Sequence, residues 1–358
     1  MTVEEFISQW HEGSDTVEVH TSGSTGDPKL MLVEKCRMLA SAKMTCDFLG
    51  LSPGDTALLC MSVDYIAGKM MVVRAMERGL HLMTVKPSSH PLALPDFTDE
   101  MARKLDFAAM VPMQVYNSLH VPREREILGK IRHIIIGGGP LDPSLERELR
   151  GFDNAVWHSY GMTETLSHIA LRRVSGSEAS PWFTPMPGVI LSVNDDQCLV
   201  IDAPHLCPEQ LVTRDVVEMS QERGVQHFKV LGRIDNVIIT GGVKVHIEQV
   251  EQALAPHMTC PFLITKCPDP KFGEVVVMLL QGSQDDVTLA KRVSEEVLSK
   301  FSRPKHFFAV PALPMTSNGK PARLHAATLA RQMSTTPFST TELSDGIRAP
   351  LLKNNSNN

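Results

Sequence analysis

An α/β fold is what this sequence predicts: a large N-terminal domain of mainly parallel sheets packed with helices and ending in a barrel-like region, then a small α+β C-terminal domain. Three patterns carry that expectation. From Thr56 to Gly139, short apolar runs ("TALLCM", "HLMTV", "DFAAMV", "HIIIGGG") alternate with segments of helical pattern, as in strand–helix–strand units with parallel strands. Between Trp182 and Val230, runs such as "CLVID", "QLVT" and "HFKVLG" follow one another without a long helix, which predicts antiparallel or barrel-like pairing. After Gly232 strands and helices mix: "DNVIIT", the helical "IEQVEQALAP", "CPFLITK", "EVVVMLL" and the helical "VTLAKRVSEEVLSKF". The expected domains are residues 1–232 and 233–333, with a disordered tail over 334–358 that lacks amphipathic periodicity.

The elements read in order. "VEVH" and "LMLV" are two short strands flanking the loop from His20 to Met31, "HTSGSTGDPKLM". "EKCRMLASAKMTCDFLG" reads as a helix ending near Gly50, and "AGKMMVVRAMERG" as a second one. "IIIGGGPL" is a buried strand opening onto Gly137, Gly138 and Gly139, and "HSYGMTETLSHIA" is a strand end followed by a turn.

Composition narrows the function. With 358 residues there is room for two or three domains, and 42% hydrophobic with 21% charged residues is ordinary for a globular protein. A net charge of -6 argues against a general nucleic-acid binder. No apolar run is long enough to span a bilayer, and the acidic N-terminus has no signal core. Seven cysteines without a C-x-x-C pair fit reduced thiols and a cytoplasmic location. H-E-x-x-H is absent, so a zincin reading has no support.

The loop "TSGSTGDPK" is suited to an anion. Ser22, Ser24 and Thr25 offer hydroxyls, Gly23 and Gly26 allow N–H groups to converge, and Lys29 adds a charge. It lacks the spelling and the strand–loop–helix setting of a Walker A motif, and a plain Ser/Gly hairpin turn explains it equally well. Tyr160 offers a flat ring, Gly161 a tight backbone, Thr163 a hydroxyl and Glu164 a hard carboxylate suited to Mg²⁺. Asp215 can accept from two ribose hydroxyls, and Lys320 sits on a polar turn near the end. Singly, each has a bland alternative as a turn or a solvated side chain.

Their joint order is specific. "TSGSTGDPK", "GGGPL", "SYGMTE", "TRD", "GRIDN…GG" and "PMTSNGK" together resemble the adenylate-forming superfamily of acyl-CoA synthetases, luciferases and peptide-synthetase adenylation domains, from about His20 to Arg323. The combination is most similar to the 2-succinylbenzoate–CoA ligases of menaquinone biosynthesis. In those, H-x-x-G is followed by an arginine six residues on; here Gly68 and Arg74 keep that spacing and Tyr65 stands for the histidine. Ile239 stands for a lysine of the hinge motif, and Ile247 for a proline. The resemblance implies that a large N-terminal portion of typical members is missing.

The implied chemistry has two steps: a carboxylate attacks the α-phosphorus of ATP, giving an acyl-adenylate and pyrophosphate, and the CoA thiol then takes the acyl group, releasing AMP. By resemblance, Thr21, Ser22, Gly23, Ser24, Thr25, Gly26 and Lys29 hold the phosphates. The adenine lies between the backbone of Gly137, Gly138 and Gly139 and Tyr160, Asp215 and Arg233 hold the ribose, and Pro140, Ser159 and Gly161 are further nucleotide-binding positions. Glu164 holds Mg²⁺. Thr163 binds the α-phosphate, and Lys320 bridges it to the attacking carboxylate. Asp235 is the hinge through which the C-terminal domain delivers Lys320 and then withdraws it. Arg74, with Gly68, shapes the acyl pocket and meets the second carboxylate of a dianionic substrate. The implied partners are a small-molecule carboxylate, ATP and CoA, with no nucleic acid; homo-oligomerisation is left open. Another aryl or fatty carboxylate–CoA ligase, and a non-catalytic nucleotide-binding homologue, remain as alternatives.

Overall fold

The computed structural model describes residues 1–20, 30–93, 97–98, 104–315 and 321–335. Its contacts divide it into two compact units. One comprises Met1–Val237 with His246–His257, and the other Ile238–Val245 with the chain from Met258 on.

The first unit opens with helix α1 (Val3–His11), then strands β1 (Thr16–His20) and β2 (Leu30–Glu34), which pair antiparallel with His20 opposite Leu30. Helix α2 (Lys35–Leu49) ends at Gly50, followed by β3 (Thr56–Leu59), α3 (Ile66–Arg78), β4 (His81–Thr84) and β5 (Leu105–Met110). Then come α4 (Pro112–Leu119), α5 (Pro122–Leu128), β6 (His133–Ile136), α6 (Pro143–Leu149), β7 (Ala155–Gly161), β8 (His168–Arg173) and the short β9 (Thr184–Pro185). Strands β3 to β9 form one seven-stranded sheet in the order β4-β3-β5-β6-β7-β8-β9. The pairings from β4 to β7 are parallel and those of β8 with β7 and β9 antiparallel.

Alternation along the strands builds a core on each face of this sheet. Ala57, Leu59, Phe107, Ala109 and Ile135 join the core containing Met38 of α2 and Met70 of α3. Leu58, Ala108, Met110, Ile134 and Ile136 join the core containing Val115, Leu128 and Leu145 of α4, α5 and α6. With both faces covered, the strands read as continuous apolar runs, as parallel strands do.

The stretch expected to be antiparallel or barrel-like forms a four-stranded antiparallel sheet: β10 (Ile190–Val193), β11 (Cys198–Asp202), β12 (Leu211–Glu222) and β13 (Val225–Arg233), paired in that order.

The second unit is α+β. Its sheet runs β15 (Val243–His246), β14 (Val237–Thr240), β17 (Gly273–Leu280) and β16 (Phe262–Asp269), and β18 (His306–Ala309) pairs parallel with β17. Between β15 and β16 lies α7 (Ile247–Leu254), which groups with the first unit. Helices α8 (Gln284–Val297) and α9 (Arg323–Thr335) complete the chain. Val275, Val277 and Leu279 share a core with Ala326 and Ala330 of α9. That helix takes in Ser334 and Thr335, the first two residues assigned to the tail; the rest of the tail lies outside the described residues. No described helix is long and apolar enough to cross a membrane, and none of the seven cysteines is in a disulfide.

Candidate functional site

The site grows from the carboxyl ends of two neighbouring parallel strands, the usual ligand position in an open α/β sheet. β6 ends at Ile136 and opens onto Gly137–Pro140; β7, paired with it through Ile136 and His158, ends in Ser159, Tyr160 and Gly161. Ser159 Oγ donates to the Ile136 carbonyl at 3.1 Å and ties the two ends together. A Cβ at Gly137 would lie 2.6 Å from that hydroxyl, so the contact needs glycine there.

Tyr160 O–H donates to Asp215 Oδ2 at 2.6 Å, and Arg233 Nη1 stands 3.6 Å from Asp215 Oδ1. Asp215 and Arg233 are directly opposed on β12 and β13. The tyrosine, the carboxylate and the arginine singled out by the sequence are thus brought together from two sheets. Burial, followed by the neighbouring Asp215 charge, pushes the Tyr160 phenol well above its ordinary pKa, so it remains a donor. Its ring meets Phe228 edge-on at 5.1 Å.

After Gly161 the chain makes one 3-10 turn, Thr163–Thr165, and returns as β8. Met162 N–H donates to Thr165 Oγ1 at 3.0 Å, and Leu166 takes a left-handed φ of 66°. The returning backbone passes so close that a Cβ on Gly161 would lie 2.2 Å from the Ser167 carbonyl. Thr163 is buried on this turn. Glu164 is exposed, with no hydrogen bond or ion pair among the described residues, so its carboxylate oxygens are open to a cation.

Arg74 meets this same turn from α3. It is 3% exposed, and its Nη2 donates to Ser167 Oγ at 2.6 Å. Its Nη1 faces Met71 Sδ at 3.8 Å and its Nε has no hydrogen-bond partner among the described residues. Among the described residues no carboxylate pairs with it. Burial lowers its pKa to about 10. Arg74 is not a surface arginine on an amphipathic helix: Gly68 to Ala75 are all buried.

Behind Arg74 runs a directed hydrogen-bond chain that sequence reading missed. Thr45 Oγ1 donates to the Ser41 carbonyl at 3.0 Å, so it accepts from His168 Nε2 at 3.1 Å. Nδ1 of that ring is then the acceptor for Ser167 O–H at 3.3 Å, and Ser167 accepts from Arg74. Burial, reinforced by the Arg74 charge, pushes the pKa of His168 far below its ordinary value and keeps the ring neutral.

Gly68 has a packing reason: a Cβ there would lie 2.2 Å from the Ser62 carbonyl. Asp235 sits in the 3-10 turn Ile234–Asn236, just before the division between Val237 and Ile238. Both its oxygens accept from Arg214 Nε, at 2.8 and 2.7 Å, and Arg233 Nη2 lies 3.2 Å away. The Arg214 hydrogen bonds hold its carboxyl below the usual range, against a smaller opposing effect of burial. Thr21, Ser22, Gly23, Ser24, Thr25, Gly26, Lys29 and Lys320 lie outside the described residues.

The family model described as "AMP-binding enzyme" matches residues 14–205, from the first hairpin through the glycine loop and the Tyr160 turn. The chain belongs to the AMP-binding enzymes. A solved acyl-CoA synthetase (AMP-forming)/AMP-acid ligase II-like protein from Dyadobacter fermentans is 34% identical, with a TM-score of 0.60, covering 90% of this chain and 92% of that one. The 2-succinylbenzoate–CoA ligase of Enterococcus faecalis is 24% identical over 340 residues, covering 88% of this chain and 69% of the relative. The o-succinylbenzoate coenzyme A synthetase of Bacillus subtilis, solved with ATP and magnesium ion, shares the fold at 22% identity. Its TM-score is 0.70, over 86% of this chain and 69% of that one. As an AMP-binding enzyme, this chain has Tyr160, Asp215 and Arg233 converging beside its glycine loop.

Proposed function

We propose that this AMP-binding enzyme is an acid–CoA ligase that activates 2-succinylbenzoate as its acyl-adenylate and passes the acyl group to CoA, releasing pyrophosphate and AMP. The observation that carries the substrate class is Arg74, a buried cation without a carboxylate partner among the described residues, beside the turn that holds Thr163 and Glu164. Burying an unpaired cation is costly, and a protein keeps one where an anion will arrive. A dianionic acid has one carboxylate to react and a second to meet Arg74. The names of the relatives from Enterococcus faecalis and Bacillus subtilis support the same substrate.

In this reading adenine lies between Gly137–Pro140 and Tyr160, with Ser159 and Gly161 shaping that wall, and Asp215 and Arg233 hold the ribose. Residues 21–26 and Lys29 hold the phosphates, and Thr163 donates to the α-phosphate. Glu164, exposed and with no hydrogen bond or ion pair among the described residues, would hold a magnesium ion, which would neutralise charge as two anions approach. Lys320 bridges the attacking carboxylate and the α-phosphate, and Asp235 is the pivot between 1–232 and 233–333.

Incubation of the protein with 2-succinylbenzoate, ATP, Mg²⁺ and CoA tests the reading. The expected products are the thioester and AMP, and pyrophosphate release across a panel of aryl and fatty acids should favour this dianion. AMP binding without pyrophosphate release from any acid overturns the ligase reading. Lys320→Ala should slow adenylate formation by about 10²–10³-fold, the scale for one preorganised donor. Thioester formation from supplied acyl-adenylate should stay near normal, as two single-turnover assays would show.

A further inference from the structure

We propose that His158, together with Arg172 and Glu146, is a positioning device that locks the Gly137–Gly139 loop for the nucleotide. The proposal rests on the reading that this loop receives the adenine.

His158 lies on β7, two residues before Tyr160, and is 8% exposed. Its Nε2 stands 3.0 Å from the Gly139 carbonyl oxygen. A carbonyl can only accept, so Nε2 carries the proton and Nδ1 is a bare acceptor. Arg172, its directly opposed partner on β8, donates Nε–H to that Nδ1 at 3.2 Å. One tautomer of a neutral ring satisfies both contacts.

The arginine is fixed in turn. Its Nη1 and Nη2 reach Glu146 Oε1 and Oε2 at 2.9 and 2.7 Å, a two-pronged pairing, and Nη1 also donates to the Ser180 carbonyl at 3.2 Å. The guanidinium lies over the Phe183 ring at 5.5 Å, and Phe183 stacks on Phe228, the ring that Tyr160 meets edge-on. Glu146 sits on α6, the helix that begins just after the loop.

The glycine loop is therefore fastened at three places. Ser159 ties its start to β7. His158 holds the Gly139 carbonyl in the middle. Glu146, through Arg172, anchors the helix at its end to β8. Three consecutive glycines have more backbone freedom to lose than any other tripeptide, and Gly138 takes a left-handed φ of 85°. Restraint supplied in advance by His158 is restraint the nucleotide need not impose. Both ring nitrogens are committed within the protein, so His158 acts on the nucleotide through Gly139.

The test compares wild type, His158→Leu and His158→Gln for AMP binding by calorimetry and for steady-state kinetics. His158→Leu should raise the Kd for AMP and the KM for ATP by about 5–10-fold, the scale of one hydrogen bond. The KM for the acid should change less than about twofold, within the error of such scales. His158→Gln, whose amide N–H reaches as far as Nε2, should recover most of the loss. Equal AMP affinity in wild type and His158→Leu overturns the proposal, as does a parallel loss for ATP and acid. Failure of wild type itself to bind AMP overturns the nucleotide reading and this proposal with it. Should the leucine variant not fold, ¹⁵N-imidazole NMR of wild type decides. Protonated Nε2 with bare Nδ1, and a shift of that Nε2–H on adding AMP, support the proposal; a proton on Nδ1, or no response to AMP, overturns it.

Discussion

Two buried arginines flank the turn between β7 and β8, and they are kept in opposite ways. Arg172, 8% exposed, is bonded through all three of its nitrogens: Glu146 on both prongs, His158 on Nε and a carbonyl on Nη1. Arg74, 3% exposed, touches a serine hydroxyl and a thioether, and its Nε bonds to nothing among the described residues. Each has a neutral buried histidine nearby, His158 for one and His168 for the other. The lesson is that burial alone does not mark a functional charge; the absence of a counter-ion does. Arg172 is paired by the fold and holds structure, whereas Arg74 has no carboxylate partner among the described residues, as the proposed role of meeting a substrate carboxylate requires.

The comparison breaks most sharply in stability. Glu146→Gln strands Arg172 as an unpaired buried cation and should lower unfolding free energy by about 3 kcal/mol, toward the low end for a broken buried pair because Glu146 keeps part of its surface in solvent. A urea titration reads this directly. Arg74→Met removes a cation that has no carboxylate partner to strand, only the Ser167 hydroxyl, and should change stability by less than about 1 kcal/mol or raise it. If Arg74→Met destabilises as much as Glu146→Gln, Arg74 is structural and the contrast fails.

A smaller effect comes from pH. Burial, with Arg172 adding to it, lowers His158 from the ordinary 6.5 to about 4. Between those values the unfolded chain binds a proton that the folded chain refuses, so stability falls as pH falls. From pH 6.5 to 5 this single ring should remove on the order of 2 kcal/mol. His158→Gln should flatten that part of the stability profile; an unchanged slope would mean the ring is already charged in the fold.

Much of this architecture was legible in the sequence, and the reasons for the rest are physical. The alternation of apolar runs and helices gave the parallel sheet, because strands buried on both faces read as unbroken apolar runs. The order of the motifs led to Tyr160, Asp215 and Arg233; the fold brings Asp215 to Tyr160 across 55 residues of chain and sets Arg233 beside it. Periodicity could not single out Arg74, since α3 is buried on every side from Gly68 to Ala75 and has no polar face to set it apart. His158 and His168 gave no signal, because a histidine's tautomer and partners are set by the groups the fold packs against its ring, here a loop carbonyl and Arg172 for one and Thr45 and Ser167 for the other. Of the two arrangements left open for residues 182–230, antiparallel or barrel-like, the chain forms a four-stranded antiparallel sheet, as strand runs alone do not say whether a sheet closes.

The central claim is that Arg74 receives the second carboxylate of a dianionic acid. The most direct measurement is kcat/KM of wild type and Arg74→Met on 2-succinylbenzoate and on an aromatic analogue that lacks the ring carboxylate. The account predicts a loss of about 10- to 100-fold on the dianion, matching about 1.5–3 kcal/mol for a charge-assisted hydrogen bond, and little change on the analogue. Equal losses on both acids would contradict it.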